Sequence, residues 1–177
     1  MSFPPDFPLL EAERAELLWA GDLLAVTLTS IEGAAARVDV GMFIVGVGTA
    51  TTAQGRVQEL LDAVVRARYR GVDCRVLVND FAHDLTQPTL NGVAAHYLRG
   101  ADVAVRLYAS ERHPSAHSKY LLVDDDVAIV GSGNWSAGGL TANLEATVRV
   151  VSEPLVRGLR RRFDADWLAA QDIEPLP

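Results

Sequence analysis

The sequence predicts an α/β protein in which a mixed β-sheet is flanked by helices on both faces. Short apolar segments typical of buried strands alternate with segments whose apolar residues recur at helical spacing, and two later strands flank a tight acidic turn. Apolar residues make up 49% of the 177-residue chain and charged residues 22%, as in ordinary globular proteins. We therefore expect a single domain over residues 1–177, with its core at about 16–170.

The first half of the chain alternates strands with helices. AELLW is suited to a short strand, and Gly21-Asp22 then provides a turn with an N-cap. The helix that follows places three apolar residues at helical spacing: Leu24, Leu28 and Ile31. RVDVGMFIV is a buried strand, TAQGRVQELLDAVVRARYRG is an amphipathic helix that stops at Gly71, and VDCRVLV is the next strand.

The second half continues this alternation. A helix near 89–99 stops at Gly100, the strand DVAVRLY follows, and a loop covers 109–116. Two strands flank DDD, and a last strand, EATVRVV, leads into the helix PLVRGLRRRFDADWLAA. The Gly-rich segment GVGTATTAQG lacks both the Gly-Lys-Ser/Thr ending of a phosphate loop and the glycine spacing of a dinucleotide site, so we interpret it as a plain connection.

Charge and compartment signals narrow the function classes. A net charge of −7 disfavours a protein that coats nucleic acid with its whole surface, so a polyanionic substrate must meet a local basic site. The N-terminus is acidic and proline-rich, unlike a secretory signal, and no apolar run approaches the ~20 residues of a membrane span. Cys74 is the only cysteine, is interpreted as a buried strand residue, and fits a reducing compartment. We expect a cytoplasmic protein.

The chemistry-bearing residues surround Lys119, the only lysine in the chain. Alternation along a strand points His117 and Lys119 the same way, ~6–7 Å apart, so both can touch one phosphate. A turn centred on Asp125 pairs Lys119 with Gly131 across the hairpin, and it brings Ser132 and Asn134 beside the His/Lys pair.

This combination suits phosphoryl chemistry. An imidazole attacks phosphorus while an ammonium, a hydroxyl and an amide stabilise the non-bridging oxygens. Such a reaction needs neither a metal nor another cofactor, and we expect none. The DDD turn lacks the spacing and distal Glu of a calcium loop, so we interpret it as a solvated turn.

Residues 117–134 match H-x-K-x4-D-x6-G-S-x-N, the motif of the phospholipase D superfamily. The matching residues are His117, Lys119, Asp124, Gly131, Ser132 and Asn134. In size and spacing the chain resembles the small bacterial single-motif endonucleases of that superfamily. The resemblance implies a covalent phosphohistidine, a second histidine that protonates the leaving oxygen and then activates water, and a role for Glu145 as the acid that pairs with the catalytic histidine.

The source of the second histidine has two interpretations. While His117 attacks as a neutral nucleophile it cannot also hold the proton that the leaving group needs. A second copy of the chain can supply that acid in a homodimer whose active site lies on the twofold axis, and we predict this arrangement. His113 of the same chain is the alternative, although an exposed loop histidine is its simpler interpretation.

Two carboxylates of the motif region also have two interpretations. Glu145 is either a solvent-facing strand residue or the group that orients the histidine, and we favour the second. Asp124 is part of the motif, but seven extended residues put it ~23 Å from His117, so fixing the turn is favoured over a chemical role.

The predicted substrate is nucleic acid, either DNA or RNA. A phospholipid, for a phospholipase or transferase, is the alternative, and an inactive module that binds nucleic acid or protein is the third hypothesis. Two groups of arginines are candidates for a cationic floor beside the site: Arg99, Arg106 and Arg112, or Arg160, Arg161 and Arg162. The last three have a second interpretation, as an exposed helix face.

Overall fold

The computed structural model describes residues 10–47, 52–81, 90–108 and 115–173. Its strands are β1 (Arg14–Leu18), β2 (Arg37–Met42), β3 (Asp73–Asn79), β4 (Ala104–Tyr108), β5 (Lys119–Val123), β6 (Val127–Gly131), β7 (Thr147–Val151) and β8 (Gln171–Asp172). Its helices are α1 (Ala20–Glu32), α2 (Thr52–Tyr69), α3 (Leu90–Gly100), α4 (Ala137–Thr141) and α5 (Glu153–Ala169). None of these helices is both long and apolar enough to cross a bilayer.

The strands form one mixed sheet in the order β1-β7-β6-β5-β2-β3-β4-β8. The neighbours β2, β3 and β4 run parallel, since α2 and α3 provide the crossovers between them, and the remaining pairs are antiparallel. This architecture confirms the predicted fold class. Two short elements, α4 and β8, were not predicted, and α1 begins earlier than expected.

The start of α1 corrects the predicted N-cap at Gly21-Asp22. Trp19 occupies the N-cap position, and Asp22 lies inside the first turn. Its carboxylate accepts a hydrogen bond from the Trp19 backbone N–H at 3.2 Å. A carboxylate in the first turn also complements the positive end of the helix dipole, so Asp22 stabilises the helix from inside rather than from its boundary.

The β5–β6 hairpin has the register predicted from a turn centred on Asp125. Tyr120 pairs with Val130, and Val123 pairs with Val127. The two strands therefore pair regularly along their length. The open end of the hairpin carries Lys119 on β5 and Gly131 on β6. This register brings the two halves of the motif together at the same end of the two central strands.

Helices cover the two faces of the sheet unequally. On one face α1 to α4 bury a large apolar cluster against the strands, whereas α5 alone packs on the other face through Val156 and Phe163. Burial of apolar surface on both sides provides the main stabilisation of the fold. A single helix cannot cover all eight strands, so part of the second face stays open.

The open part carries an apolar row, which we define as Leu17, Val148 and Val130. These residues lie directly opposite one another on β1, β7 and β6, and Val130 is opposite Tyr120, which packs against Phe163 of α5. They therefore lie on the α5 face. Leu17 is 59% exposed and Val148 37% exposed.

A buried carboxylate ties α5 to the sheet. Asp39 of β2 is fully buried and pairs with Arg75 at 2.7 Å and Arg160 at 3.1 Å. Arg75 also pairs with Asp164, and Arg160 with Asp125 in the acidic turn. Because a buried charge without partners is very costly, these two arginines are needed for the fold.

Candidate active site

His117 and Lys119 meet at the beginning of β5. The Lys119 Nζ lies 3.0 Å from the His117 Nδ1 and donates a hydrogen bond to the His117 carbonyl at 2.7 Å. Lys119 is only 7% exposed, whereas His117 is exposed. The hydrogen bond to the His117 carbonyl thus holds the ammonium in place, and the imidazole lies at the surface, where a substrate can reach it.

Phe43, directly after β2, packs against both residues. Its ring centroid is 4.3 Å from that of His117 and 4.8 Å from the Lys119 Nζ, the geometry of a cation–π contact. The contact follows from the pairing of Met42 with Lys119 across β2 and β5. Sequence reasoning missed Phe43, because its position at the end of an apolar strand indicates only a core residue.

Burial lowers the pKa of Lys119, and the negative charge of Glu145 partly opposes this effect. A cation that has already lost much of its hydration gives up less water when it binds a phosphoryl oxygen. Its attraction to an anion is also less screened than at an exposed site. The environment of Lys119 therefore favours direct binding of a phosphate.

Ser132, Asn143 and Glu145 form a hydrogen-bonded cluster beside the His/Lys pair. The Ser132 hydroxyl donates to the Glu145 carboxylate at 2.5 Å and accepts from the Ala146 N–H at 3.1 Å. The Asn143 amide donates to the other carboxylate oxygen at 3.0 Å. Phosphate binding by Ser132 stays a prediction, because its hydroxyl is engaged by Glu145.

Sequence reasoning missed Asn143, for which the spacing to Glu145 in NLEATV was the available signal.

The predicted pairing of Glu145 with His117 is not among the hydrogen bonds of the residues described. Both oxygens of the carboxylate are instead bound by Ser132 and Asn143. This arrangement fixes the carboxylate at the edge of the site and leaves its orienting role a prediction.

Gly131 allows β6 and β7 to approach closely next to this cluster. A Cβ atom at Gly131 would clash with the Thr147 hydroxyl and lie 2.7 Å from the Ala146 carbonyl oxygen. A larger residue would push β7 away, and Glu145 precedes that strand by only two positions. The glycine of the motif therefore sets the distance between Ser132 and Glu145.

Asn134 joins the two loops that border the site. Its Oδ1 accepts a hydrogen bond from the Ile44 N–H at 3.2 Å, which links the segment after β6 to the segment after β2. This bond uses the carbonyl oxygen of the amide, so the N–H donors of Nδ2 remain suited to an anionic ligand. The structure thus brings Asn134 to the same end of the β5–β6 hairpin as Lys119.

Asp124 lies at the opposite end of β5 from Lys119. Its carboxylate accepts hydrogen bonds from three backbone N–H groups, those of Ala35, Ala36 and Arg37, at 2.7–3.0 Å. Burial opposes its charged form, but these bonds outweigh that effect and lower its pKa. They give Asp124 a structural role that fixes the loop before β2 to the hairpin turn.

The predicted acidic turn is engaged with α5 through Asp125, which pairs with Arg160 at 2.7 Å. Across the described ranges, no group of three or more His, Cys, Asp or Glu side chains is placed to hold a metal ion. The DDD segment of this structure is thus a hairpin turn that docks onto a helix.

Most of the candidate arginines have structural partners. Arg106 pairs with Asp172 at 3.0 Å and donates to the Trp167 carbonyl, and Arg99 donates to the carbonyl of Ile173. Arg160 binds the buried Asp39. These contacts give the three arginines structural roles, and none of the three lines the groove beside His117, so their part in a cationic floor stays a prediction. Arg112 and the alternative acid His113 lie outside the described residues.

An open groove of about 450 Å³ adjoins the His/Lys pair on the α5 face. His117, Lys119 and Gly131 form one end of its wall. Its apolar lining includes Leu77, Tyr108 and Leu159, and Arg162 and Asp166 of α5 border it. The groove is large enough to hold a substrate group beside the reacting phosphate.

Known proteins share both the sequence pattern and the fold. The family described as "Cardiolipin synthase, PLD-like domain" matches residues 28–167. A mitochondrial cardiolipin hydrolase of Chlamydomonas reinhardtii is 33% identical over 111 residues, which are 62% of this chain and 46% of that protein. The chain thus spans about half or less of the length of the curated relatives that it matches.

Two solved structures resemble almost the whole chain. Nuc from Salmonella typhimurium, a phospholipase D family member, superposes with a TM-score of 0.76 at 18% identity, over 92% of this chain and 99% of that one. NucT from Helicobacter pylori gives a TM-score of 0.71 at 15% identity, over 90% of this chain and 99% of that one. At these identities the likeness concerns the fold alone.

Proposed function

The chain belongs to the phospholipase D superfamily, and we propose that it is a phosphodiesterase, more specifically a metal-independent endonuclease that acts as a homodimer. The observation that carries the proposal is the exposed His117 ring beside the buried Lys119 ammonium, 3.0 Å apart at the end of an open groove. A nucleophile and a phosphate-binding cation are there within reach of one phosphoryl group.

In the first step of the proposed reaction, a ring nitrogen of His117 attacks the phosphorus. A P–N bond forms while the bond from phosphorus to the leaving oxygen breaks, and a second histidine donates a proton to that oxygen. Lys119 and the Asn134 amide stabilise the charge on the non-bridging oxygens. In the second step, the second histidine takes a proton from water, the water oxygen attacks phosphorus, and the P–N bond breaks to release His117.

The second histidine must come from outside the described site. His96, the other histidine of the residues described, lies on α3, which packs on the face opposite α5. The partner subunit's His117 fits the requirement if the twofold axis passes beside the motif. Glu145, held by Ser132 and Asn143, then has a fixed position from which to orient an imidazolium.

The apolar row supports a homodimer. Val148 adjoins Thr147, which is paired with Gly131 of the motif, so the row begins next to the site. Apolar strand residues exposed in register across three strands are typical of an interaction surface, and we propose a second copy of this chain as the partner. A second copy that covers the row also brings its own motif close to the first.

Two observations bear on the substrate. Nuc and NucT are matched over nearly their whole length, as expected for a chain of the single-motif type, which favours nucleic acid. The identity to a cardiolipin hydrolase favours the alternative, a phospholipid substrate. The first is our proposal, because an open groove bordered by Arg162 and lined by aromatic and aliphatic side chains suits a nucleotide.

The proposal is tested with the purified protein in EDTA, incubated separately with single- and double-stranded DNA, RNA and cardiolipin vesicles. We expect cleavage of nucleic acid that is abolished in His117→Ala and retained in His96→Ala, the matched control outside the site. Loss of wild-type cleavage in EDTA would contradict the metal-independent reaction. Cleavage of cardiolipin alone would support the lipid alternative, and failure to cleave any of them would support an inactive module.

A further inference from the structure

The groove beside His117 is bordered by a second basic residue, which does not belong to the motif. Of the described residues that line it, Lys119 is the lysine and Arg162 is the arginine. Lys119 serves the reacting phosphate in the proposed mechanism. Arg162 has no part in that mechanism, yet it borders the same groove.

The three consecutive arginines of α5 have different surroundings. Arg160 is directed into the sheet, where it binds Asp39, and its side chain is 12% exposed. Arg161 borders a separate depression together with Asp125 and Arg157. Only Arg162 lines the groove that contains His117. The arginine run is thus neither a continuous phosphate-binding floor nor a uniformly solvated face.

Arg162 is held in a defined position. Its Nε donates to the Asp166 carboxylate at 2.8 Å, one helical turn further along α5. This bond leaves the two terminal nitrogens of the guanidinium as potential donors to a ligand, and the Arg162 side chain is 58% exposed. Asp166 also lines the groove and is less exposed, so it orients the guanidinium before any substrate arrives.

We propose that Arg162 binds a phosphate of the substrate adjacent to the one that His117 attacks, and thereby selects nucleic acid over isolated phosphodiesters. The inference rests on the proposed function. Leu77, Tyr108 and Leu159 provide an apolar surface in the same groove, suited to the nucleoside that separates two phosphates. In this proposal His117 and Lys119 contact the reacting phosphate and Arg162 contacts its neighbour, so the loss of Arg162 weakens substrate binding and leaves the chemical step unchanged.

The test compares two substrates in wild type, Arg162→Ala and Arg161→Ala. Bis(p-nitrophenyl) phosphate offers one phosphodiester and no neighbouring phosphate, whereas a single-stranded oligonucleotide offers both. We expect Arg162→Ala to lower kcat/KM for the oligonucleotide about tenfold, mostly through KM, because one charge-assisted hydrogen bond is lost. Turnover of bis(p-nitrophenyl) phosphate stays within about twofold of wild type, because it lacks the second phosphate.

Arg161→Ala is the matched control, since it removes the same charge from the neighbouring position outside the groove. It should cleave both substrates like wild type. The salt dependence of oligonucleotide binding should also weaken in Arg162→Ala by about 0.7 in the slope of log K against log salt, as for one lost phosphate contact to a single strand.

The outcomes separate this inference from the proposed function. Equal losses on both substrates, or oligonucleotide cleavage that is insensitive to Arg162→Ala, would overturn the role of Arg162 and leave the nuclease intact. Equal effects of Arg161→Ala and Arg162→Ala would also overturn it, because general charge would then explain the loss. Wild-type hydrolysis of bis(p-nitrophenyl) phosphate without cleavage of nucleic acid would refute the proposed function and the inference together.

Discussion

Lys119 is the residue whose surroundings best explain its identity. Its ammonium contacts the His117 ring and carbonyl and lies 4.8 Å from the centroid of the Phe43 ring, and it is almost fully buried. A lysine ammonium is a compact point charge, whereas a guanidinium is a broad planar fork. Because Lys119 is almost fully buried against His117, we expect the larger guanidinium to displace the imidazole from its position.

We therefore predict that Lys119→Arg retains the fold and loses most of the activity. Displacement of the imidazole and loss of a directed donor should reduce kcat on the order of 10²–10³-fold, as removal of a preorganised charge-stabilising donor does elsewhere. Steady-state turnover measures this loss, and thermal unfolding monitors the fold. Near-normal turnover of a well-folded variant would contradict the proposed role of Lys119.

At the residue scale the sequence was informative only where a motif sets the spacing. Strand alternation and hairpin register predict that four residues lie together: His117, Lys119, Ser132 and Asn134. The structure brings all four to the open end of the β5–β6 hairpin. Phe43 was not predictable, because its contact depends on the pairing of β2 with β5, strands far apart in sequence. The structural partners of Arg99 and Arg160 depend on long-range contacts in the same way.

At the scale of elements, the β5–β6 hairpin links the turn at Asp124 to the site at Lys119. Asp124 adopts a positive φ of 47° and binds the loop before β2 through three N–H groups. Since β2 carries Met42 and then Phe43 to the site, the turn helps to fix the position of that strand relative to the motif.

Asp124→Asn should destabilise the fold by about 1–2 kcal/mol at neutral pH, a modest range because the carboxylate is partly exposed. The folded pKa lies below the ordinary value of 3.8, so the stabilisation is complete above that pH and is lost as the pH falls through the folded pKa. Urea unfolding of both proteins from pH 7 to pH 2 measures this difference. If the difference in unfolding free energy between wild type and Asp124→Asn does not shrink at low pH, the charge of Asp124 is not its cause.

The predicted elements agree with the structure wherever their periodicity is strong. The long helix α2 and the buried strands β2 and β3 lie where the pattern put them. The five-residue α4 and the two-residue β8 are too short for any periodicity, and tertiary contacts stabilise them. The N-cap of α1 was misplaced, because a turn-forming Gly-Asp pair is also compatible with the first turn of a helix.

For the whole molecule, the sheet order was beyond sequence reasoning. The N-terminal β1 pairs with the late strand β7, and the short β8 closes the other edge beside β4. These pairings join distant parts of the chain, so no local pattern encodes them. In this order α5 packs mainly against β2, β4 and β6, and the apolar row extends beyond it onto β7 and β1.

If the apolar row is the dimer face, a charge placed on it should separate the subunits. We predict that Leu17→Glu, on the edge strand β1, shifts the protein to a monomer and lowers activity, because a buried unpaired carboxylate is costly. Val93→Glu is the control, since Val93 is half exposed on α3 on the other side of the sheet. Light scattering at matched concentrations measures the mass. A Leu17→Glu dimer with full activity would show that this row is not the interface.

The most direct measurement of the central claim, that two copies of His117 complete one site, is a subunit-mixing titration. Wild-type and His117→Ala chains are mixed under conditions that exchange subunits, and nucleic-acid cleavage is followed as the wild-type fraction falls. If each site needs a nucleophile from one copy and an acid from the other, activity falls as the square of that fraction, to about a quarter at equal amounts. A linear fall, to about a half, would show that each chain is active on its own and would contradict the shared site.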